Sequence, residues 1–535
     1  MVEEGARIGT VIMVDGARAV AEIDPAEAAA GSDLAVGDLV KMPGKLNTVF
    51  GLVHSIEAVG AHNGDERSQH VDIDFLGEIF RDEGDSFQRG VSRYPSLGTP
   101  LIAADHDDAL RVYAKPSAPH VRIGKVHQGA DLDAFLLTDD LLSKHFAVLG
   151  TTGSGKSCTV TLILRTLLKE YPDAYVLLLD PHNEYADAFG DIAKLVSLEN
   201  LTLPYWLMNS EELVETIVRT EAEDREDQIG ILRNAVLRAR KDFTRNAELS
   251  SFMTVDTPSP FSLTDLIKII DEESGKLERV ESVQAYMRLI ERLERLRNDR
   301  RFAFMFSTKM SFDNLDEILG SLLRIPVDGK PMTVVDVSGI PSEIIDVVVS
   351  ILSRMIFDFA LWNPRADEVP LLLVCEEAHR YIPTDDEQAF MPTKNALARI
   401  AKEGRKHGVS LCLVSQRPSD LSQRILSQCG TIFGLRMSND RDQEFVQRAL
   451  PESARSLMSA LPALRTREAI IVGDGTTVPA RIMFDHLEAE HQPRSKSAVY
   501  STAWKSDSSD REMVKGTVSR WRFQRRRRGR SSSST

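Results

Sequence analysis

Residues 147–158 read AVLGTTGSGKSC, and this stretch decides the fold of the chain. Gly150–Ser157 fits the pattern GxxxxGK[ST], between an apolar run and the helix-forming sequence TLILRTLLKE. Glycines let the backbone turn tightly and aim N–H groups at phosphate, and a helix N-terminus adds a positive dipole end. The stretch therefore predicts a strand, a phosphate-binding loop and a helix, and a glycine-rich turn without a ligand is the minor alternative.

The loop predicts binding of ATP with Mg²⁺. Lys156 is expected to reach the β- and γ-phosphates, and the Ser157 hydroxyl is expected to hold the metal. Cys158 follows the serine and is expected to be buried and inert. The rest of the loop is also predicted to bind the nucleotide. Its residues are Gly150, Thr151, Thr152, Gly153, Ser154 and Gly155, and Cys158 is included in the predicted set.

A second apolar run, PLLLVCEEAH at 370–379, ends in two adjacent carboxylates. Ligands of open α/β sheets bind at the carboxyl ends of strands, so Glu376 and Glu377 are predicted to lie beside the loop. We assign Glu376 to the Mg²⁺ shell and Glu377 to the water that attacks the γ-phosphate. Two solvated glutamates are the alternative, and the neighbouring phosphate loop makes it a minority one.

Three further groups of polar residues are weaker candidates. Gln416 ends the strand SLCLVSQRP, where it could sense the γ-phosphate or simply begin a loop. The run LLLDPHNEY places Asp180, His182 and Glu184 after another strand, and a hydrogen-bonded turn is favoured there over a metal site. In ARIAKEGRKHG, Arg405 is a candidate arginine finger toward a neighbouring subunit, beside Arg399 and Lys406. A solvated surface arginine explains that position equally well.

Length, charge and cysteine content narrow the function further. The 535 residues are too many for one core and indicate about three domains. A net charge of -15 argues against a protein that coats nucleic acid with its whole surface, but it leaves room for a locally basic channel. The four cysteines form no CxxC pair, and neither a membrane-spanning run nor a secretory signal stands out, so we expect a cytoplasmic protein. The basic tail QRRRRGRSSSST predicts a disordered end rather than a phosphate-binding arm.

The order of patterns along the chain predicts its domains. Residues 1–118 contain short strand-like runs separated by Gly, Asp and Pro, as in a small barrel. Residues 119–490 alternate apolar strands with helices, which predicts an α/β domain with a mostly parallel sheet. A helical insertion is predicted at 206–325, where Val283, Met287, Ile290, Leu293 and Leu296 have helical spacing, and an extended segment is predicted at 491–535.

Together these motifs resemble the HerA family of the HerA/FtsK superfamily, over roughly residues 5–500. The resemblance is carried by LLSKHFAVLGTTGSGKS, LLLDPHNEY, VVDVSGIP, LLLVCEEAHRYIP, AKEGRKHGVSLCLVSQRPSDL and VPARIMF, in that order. It implies a RecA-like P-loop ATPase core with an N-terminal HAS barrel, assembled as a homo-hexamer that translocates along double-stranded DNA. It also implies Glu377 as catalytic base, Gln416 as γ-phosphate sensor and Arg405 as the finger acting in trans.

Two positions depart from the family pattern. Asn183 stands where the family usually has glycine, and Lys144 stands where it commonly has arginine. If residue 144 acts on a neighbouring subunit, lysine keeps the charge but not the bidentate fork.

The same resemblance implies a protein partner. Members usually work with a nuclease such as NurA in DNA end processing, and some bacterial relatives assemble with a nuclease or sirtuin-like effector in phage defence. This chain shows no nuclease motif of its own. A nucleotide-gated ring that organises an effector with little translocation is the main alternative. An ABC-type ATPase is disfavoured because no LSGGQ-like signature is present. A secretion or conjugation ATPase of the same superfamily is a further alternative, although the sequence shows no membrane anchor.

Overall fold

Buried β-branched and leucine runs assemble into two sheets in the computed structural model of this chain. The structure describes residues 7–23, 34–59, 68–81, 86–127, 129, 131–218, 224–276, 280–307, 310–450, 457–494, 500–505 and 510–522. Contacts divide the chain into two units, Met1–Pro493 and Arg494–Thr535. None of the described helices is both long enough and apolar enough to cross a membrane.

The N-terminal sheet closes into a small antiparallel barrel, as the sequence predicts. Its strands are β1 (Arg7–Asp15), β2 (Arg18–Ile23), β3 (Leu39–Pro43), β4 (Asn47–Val59), β5 (Ser68–Phe80), β6 (Gln88–Arg89) and β7 (Pro100–Ala103). Their order is β2-β1-β7-β3-β4-β5-β6, and the pairing of β2 with β5 closes the ring. The loop predicted at HNGDERSQ lies outside the described residues, apart from Ser68 and Gln69, which begin β5.

The second sheet has eleven strands in the order β12-β13-β11-β14-β15-β10-β16-β17-β18-β8-β9. They are β8 (His120–Val126), β9 (Asp133–Leu137), β10 (Phe146–Leu149), β11 (Tyr175–Asp180), β12 (Ala193–Val196), β13 (Met332–Asp336), β14 (Leu371–Cys375), β15 (Val409–Ser415), β16 (Thr431–Gly434), β17 (Glu468–Gly473) and β18 (Ala480–Phe484). The seven strands from β12 to β16 in this order run parallel, and the remaining four are antiparallel. The parallel-dominated α/β fold is confirmed.

Helices connect these strands. They are α1 (His106–Val112), α2 (Thr138–Ser143), α3 (Lys156–Glu170), α4 (Ala186–Phe189), α5 (Ser210–Ile217), α6 (Arg225–Phe243), α7 (Ala247–Phe252), α8 (Leu263–Ser274), α9 (Val280–Asn298), α10 (Ala303–Phe306), α11 (Leu315–Leu323), α12 (Ile345–Trp362), α13 (Met391–Glu403), α14 (Gln423–Leu426), α15 (Asp440–Arg448), α16 (Tyr500–Ala503) and α17 (Arg511–Arg522).

Alternating side chains of each parallel strand feed two separate cores. On β10, Ala147 and Leu149 belong to the core that includes α12 and the helical insertion. Phe146 and Val148 belong to the core on the opposite face, which packs against α3. Burial of both faces explains why these strands are almost continuously apolar, and it holds the start of α3 rigidly at the end of β10.

The predicted helical insertion lies between β12 and β13 and contains α5 to α11. One detail of its longest helix, α9, differs from the prediction. Met287 is 54% exposed, whereas Leu289, Leu293 and Leu296 are at most 1% exposed. The apolar spacing identified a helix, but its buried face is set by the neighbouring helices α6 and α8, and Met287 lies off that face.

The C-terminal unit contains two helices, α16 and α17, where the sequence suggested an extended segment. Its longer helix, α17, has no buried residue, and Trp521 is 75% exposed. An amphipathic helix with so little packing gives only a short periodic signal, which explains why the sequence pattern missed it. The basic tail at 524–535 lies outside the described residues.

Candidate nucleotide-binding site

The loop between β10 and α3 has the backbone that its glycines permit. Gly153 and Gly155 have φ values of 76° and 98°, in the left-handed region that side-chain-bearing residues rarely adopt. A Cβ on Gly150 would lie 2.7 Å from the Ser154 hydroxyl oxygen and 2.8 Å from Cβ of Leu435. The Ser154 hydroxyl is buried without a hydrogen-bond partner. A tight loop with an unsatisfied buried donor fits an incoming phosphate.

Lys156 lies inside this loop and is only 7% exposed. Its ammonium group donates to the Thr151 carbonyl oxygen at 3.2 Å. Burial lowers the pKa of Lys156, and the charges of Glu376, Glu377 and Glu184 oppose that shift. The amine thus donates to a loop carbonyl and lies in the field of three carboxylates, and a phosphate oxygen offers it a stronger partner.

Carboxyl ends of the parallel strands bring distant residues to this loop. Leu149 of β10 pairs with Ser415 of β15, and Cys375 of β14 pairs with both Leu179 of β11 and Leu413 of β15. Residues that follow Asp180, Cys375 and Ser415 therefore lie along one edge of the sheet, as predicted.

Glu376 points inward at this edge. It is 4% exposed, and the Tyr185 hydroxyl donates to its Oε2 at 2.6 Å. Burial raises the pKa of Glu376 to about 8, and the adjacent negative charge of Glu377 acts in the same direction, while the Tyr185 hydrogen bond and Lys156 oppose it. The buried Tyr185 ring holds this carboxylate in one orientation.

Glu377 adopts a left-handed backbone conformation, with φ of 53°, immediately after β14. Its carboxylate is 5% exposed and lies between two imidazoles. Oε1 is 3.5 Å from His182 Nε2, and Oε2 is 3.2 Å from His379 Nδ1, which is itself 3.1 Å from the Ser415 hydroxyl. Burial lowers the pKa of His379, although Glu377 opposes the shift. A strained backbone with a caged carboxylate is typical of a catalytic position.

The turn after β11 is hydrogen-bonded, as the sequence suggested. The Asp180 carboxylate accepts from the backbone N–H groups of His182 at 3.1 Å and Tyr185 at 3.0 Å. Burial raises the pKa of Asp180, against the effect of these bonds. Asn183 has φ of 54°, a conformation that asparagine tolerates better than most residues, so the turn survives without the glycine usual in the family.

Glu184 in the same turn is a site residue that sequence reasoning left aside. The Ser157 hydroxyl donates to its Oε2 at 2.8 Å, although 27 residues separate the two. The only sequence signal was a carboxylate close after a parallel strand, and that signal could not say which way the side chain points.

Gln416 reaches the opposite side of the loop. The Thr152 hydroxyl donates to its Oε1 at 2.5 Å. The backbone of residue 416 follows β15 directly, so the side chain spans from one strand end to the phosphate loop. This placement fits a group that responds to the terminal phosphate.

The chain is similar in sequence to proteins described as HerA helicases. Residues 121–356 match the family described as "Helicase HerA, central domain". The chain is 29% identical to the "DNA double-strand break repair helicase HerA" of Sulfolobus acidocaldarius, covering 80% of each chain, and 26% identical to its namesake in Pyrococcus furiosus, covering 81% of this chain and 80% of that one. The chain is similar to the HerA family over these residues.

Solved structures support the same fold. VirB4 of Thermoanaerobacter pseudethanolicus matches with a TM-score of 0.50 at 16% identity, covering 71% of this chain and 99% of that chain. The phosphate loop of this chain is accordingly a nucleotide-binding site.

The predicted arginine finger does not lie at the nucleotide site of its own subunit. Arg405 precedes β15, whereas Gln416 follows it, so the length of a seven-residue strand, about 20 Å, separates the two ends. Arg405 is exposed and has no ion-pair partner among the described residues. Arg399 is engaged within the subunit, with its guanidinium 4.3 Å from the Phe357 ring centroid.

Lys144 lies at the same end of the sheet as Arg405. Its ammonium group is 3.0 Å from Asp140 and 3.2 Å from Asp474. The hydrogen bond to Asp140 contributes most to the raised pKa of Lys144. The residue is thus tied to two carboxylates of its own subunit.

Two other residues near the loop were not foreseen in the positions that they take. Cys158 is exposed rather than buried, because it lies on the solvent side of the first turn of α3. Arg436 was not singled out, yet its backbone carbonyl accepts from both the amide at 3.1 Å and the hydroxyl at 3.0 Å of Thr151. Its side chain is exposed beside the loop.

The oxygen-rich surroundings of Ser157 fit Mg²⁺, a hard cation that prefers oxygen ligands. The Ser157 hydroxyl is half-buried, and carboxylates of Glu184 and Glu376 belong to the same cluster around Lys156. No cysteine or histidine nitrogen contacts the hydroxyl in the described part of the chain, so the donor set favours magnesium over zinc.

Proposed function

We propose that this chain is an ATP-driven translocase on double-stranded DNA that works as a ring of six identical subunits with a partner nuclease or effector. One observation carries the proposal. The phosphate loop, the acidic pair and Gln416 meet at one edge of the sheet, whereas Arg405 lies free at the other end. Lys156 supplies a cation inside the loop, whereas Arg405 is exposed at the other end of the strand and is available to a second subunit.

A ring resolves that separation. In a head-to-tail cyclic assembly each subunit presents one surface to its neighbour's opposite surface, so Arg405 of one copy can face the phosphate loop of the next. An arginine supplied in trans stabilises the charge that develops on the transferred phosphoryl group. The proposal therefore makes hydrolysis dependent on assembly.

Each side chain at the edge has a role in hydrolysis. Lys156 binds the phosphates, and Gln416 reports on the terminal phosphate through Thr152. Glu377 takes a proton from the attacking water as the water oxygen bonds to the γ-phosphorus and the bond from that phosphorus to the oxygen of the leaving ADP breaks. His182 and His379 flank its carboxylate. Ser157 and the nearby carboxylates would hold Mg²⁺, which supplies neutralisation of phosphate charge when bound.

The names of the relatives, which describe DNA repair helicases, support DNA as the polymer along which the protein moves. The net charge of -15 does not oppose it, because a closed ring can place its basic groups on the inner surface. A cytoplasmic location and a NurA-like nuclease or sirtuin-like effector as partner are part of the proposal.

The decisive experiment is ATP hydrolysis by the purified protein with and without long linear duplex DNA. We expect several-fold stimulation by DNA, no DNA cleavage, and a fall in kcat of about 10²- to 10⁴-fold in Glu377→Gln. Glu368→Gln is the matched control, since Glu368 is an exposed glutamate on the connection that leads into β14.

Two outcomes would redirect the proposal. Hydrolysis that ignores DNA but responds to a protein partner would favour a nucleotide-gated scaffold. DNA cleavage that persists in Lys156→Ala and co-purifies with this chain would contradict the dependence on a separate nuclease.

A further inference from the structure

The turn after β11 carries two neighbouring side chains that reach the phosphate-loop cluster from the same backbone segment. Tyr185 donates to the buried Glu376, and Glu184 accepts from Ser157. The turn is held rigid by Asp180, which accepts two backbone N–H groups within it. The positions of Glu184 and Tyr185 are therefore fixed relative to each other and to the end of β11.

A serine that binds a cation must direct an oxygen lone pair at the metal and its hydrogen elsewhere. The hydrogen of Ser157 already has an acceptor, because its Oγ lies 2.8 Å from Glu184 Oε2. Carboxylates that accept from a metal-binding group orient it and raise its basicity. Glu184 is also half-exposed, so its charge stays open to the approaching cation.

Glu376, which the sequence suggested for the metal, differs from Glu184 in its exposure and in its hydrogen-bond donor. Its carboxylate is 4% exposed and takes the Tyr185 hydroxyl at 2.6 Å. Glu184 thus lies toward solvent against Ser157, whereas Glu376 lies inward against Tyr185.

We propose that Glu184 is the positioning residue of the metal site, accepting the Ser157 hydroxyl hydrogen and so directing the serine oxygen at the Mg²⁺ of the bound nucleotide. The inference rests on the proposed nucleotide site but requires neither DNA nor translocation. It adds a residue from the DPHNEY turn to a site otherwise formed by the phosphate loop and the acidic pair.

The test measures metal affinity rather than turnover. Mn²⁺ replaces Mg²⁺, and its binding to the full-length protein with ADP is titrated by electron paramagnetic resonance. Glu184→Gln keeps the size of the side chain and should weaken Mn²⁺ binding about 10- to 100-fold. Metal-free ADP affinity, measured in EDTA with a fluorescent ADP analogue, should stay within about twofold, which also shows that the variant is folded.

Asp187→Asn is the matched control. It removes one negative charge three residues further along, from an exposed side chain of α4, and should leave Mn²⁺ affinity unchanged. A general loss of negative charge near the site would affect both variants alike.

A double-mutant cycle tests whether Glu184 acts through the serine. In the Ser157→Ala background, Glu184→Gln should have little further effect on Mn²⁺ affinity. An equal loss in both backgrounds would overturn the positioning role and make Glu184 a direct contact. Unchanged Mn²⁺ affinity in Glu184→Gln would overturn the inference entirely, whereas a failure of DNA to stimulate hydrolysis would leave it intact and contradict only the translocase.

Discussion

The Tyr185 hydroxyl donates to Oε2 of Glu376 at 2.6 Å, and both side chains are buried. The bond links the turn after β11 to the acidic end of β14, and β11 and β14 are neighbouring strands in the sheet. Because both groups are shielded from water, this short bond fixes the orientation of the carboxylate beside Lys156.

Tyr185→Phe should therefore affect both stability and turnover. It leaves a buried carboxylate oxygen without its donor, which we expect to cost about 1–3 kcal/mol in the free energy of unfolding. Displacement of Glu376 should lower kcat about tenfold. Calorimetry and steady-state hydrolysis measure the two effects. Tyr171→Phe is the control, since the Tyr171 hydroxyl makes a longer bond of 3.3 Å to Thr138, away from the loop. Equal losses of stability and kcat in the two variants would argue against a role of Tyr185 in orienting Glu376.

Arg405→Ala should abolish most hydrolysis, by about 10³-fold, although Arg405 is remote from the phosphate loop of its own subunit. Mixing provides the sharper test. Lys156→Ala retains the arginine and Arg405→Ala retains the loop, so co-assembled mixtures should recover activity that neither variant has alone. Lys406→Ala, at the adjacent exposed position, should stay near wild type. Mixtures that remain inactive would indicate that Arg405 does not act across an interface.

Gln416→Ala should lower kcat about tenfold while ATP affinity changes less than about threefold, because the side chain contacts the loop rather than forming it. If Gln416 acts through Thr152, the variant Thr152→Val should add little to Gln416→Ala in a double mutant. Gln423→Ala, an exposed glutamine on α14, serves as the control. A large loss of nucleotide binding in Gln416→Ala would point instead to a structural role.

His145 should make the ATPase core sensitive to acid. The imidazole is buried; its Nδ1 accepts from the Leu411 N–H at 3.0 Å and its Nε2 donates to the Ala401 carbonyl at 3.2 Å. Burial lowers the pKa of His145, although the bond to Ala401 opposes the shift. The unfolded chain takes up a proton at the ordinary histidine pKa of about 6.5, so the stability that neutral His145 provides is present above that pH and lost below it.

Replacing His145 isolates this effect. His145→Asn tolerates the left-handed backbone, with φ of 54°, but does not titrate. Between pH 7.5 and pH 5 the free energy of unfolding should fall more steeply in the wild type than in His145→Asn. The difference in slope should be at most about 1.4 kcal/mol per pH unit. Scanning calorimetry without nucleotide measures it, with His106→Asn at an exposed position as control. Parallel pH profiles for His145→Asn and wild type would disprove the assignment.

Local patterns were sufficient for most of the parallel sheet and for the phosphate loop. The loop requires glycines at positions that the structure shows in left-handed or crowded conformations, and Gly150, Gly153 and Gly155 satisfy that requirement. Strands buried on both faces leave continuous apolar runs that are legible in one dimension. The antiparallel extension was missed because β8 pairs with β18, and nothing local to Val126 specifies Ile482 as its partner.

Local sequence also could not predict the direction in which a side chain points. Cys158 was expected inside and is exposed, and Met287 was counted in an apolar stripe but faces solvent. Both errors have the same origin, since a helix pattern gives the spacing of residues while the packing partners choose which side becomes buried.

By itself, the sequence determined the P-loop chemistry, because glycine conformations, one lysine and a carboxylate pair at strand ends follow from residue type and order. Only the tertiary structure decided which carboxylate meets which partner. Glu184 and Glu376 differ little as sequence, yet one lies against Ser157 and the other against Tyr185. The reason is geometric: the register of the parallel strands and the Asp180-braced turn fix side-chain directions through contacts between residues far apart in the chain.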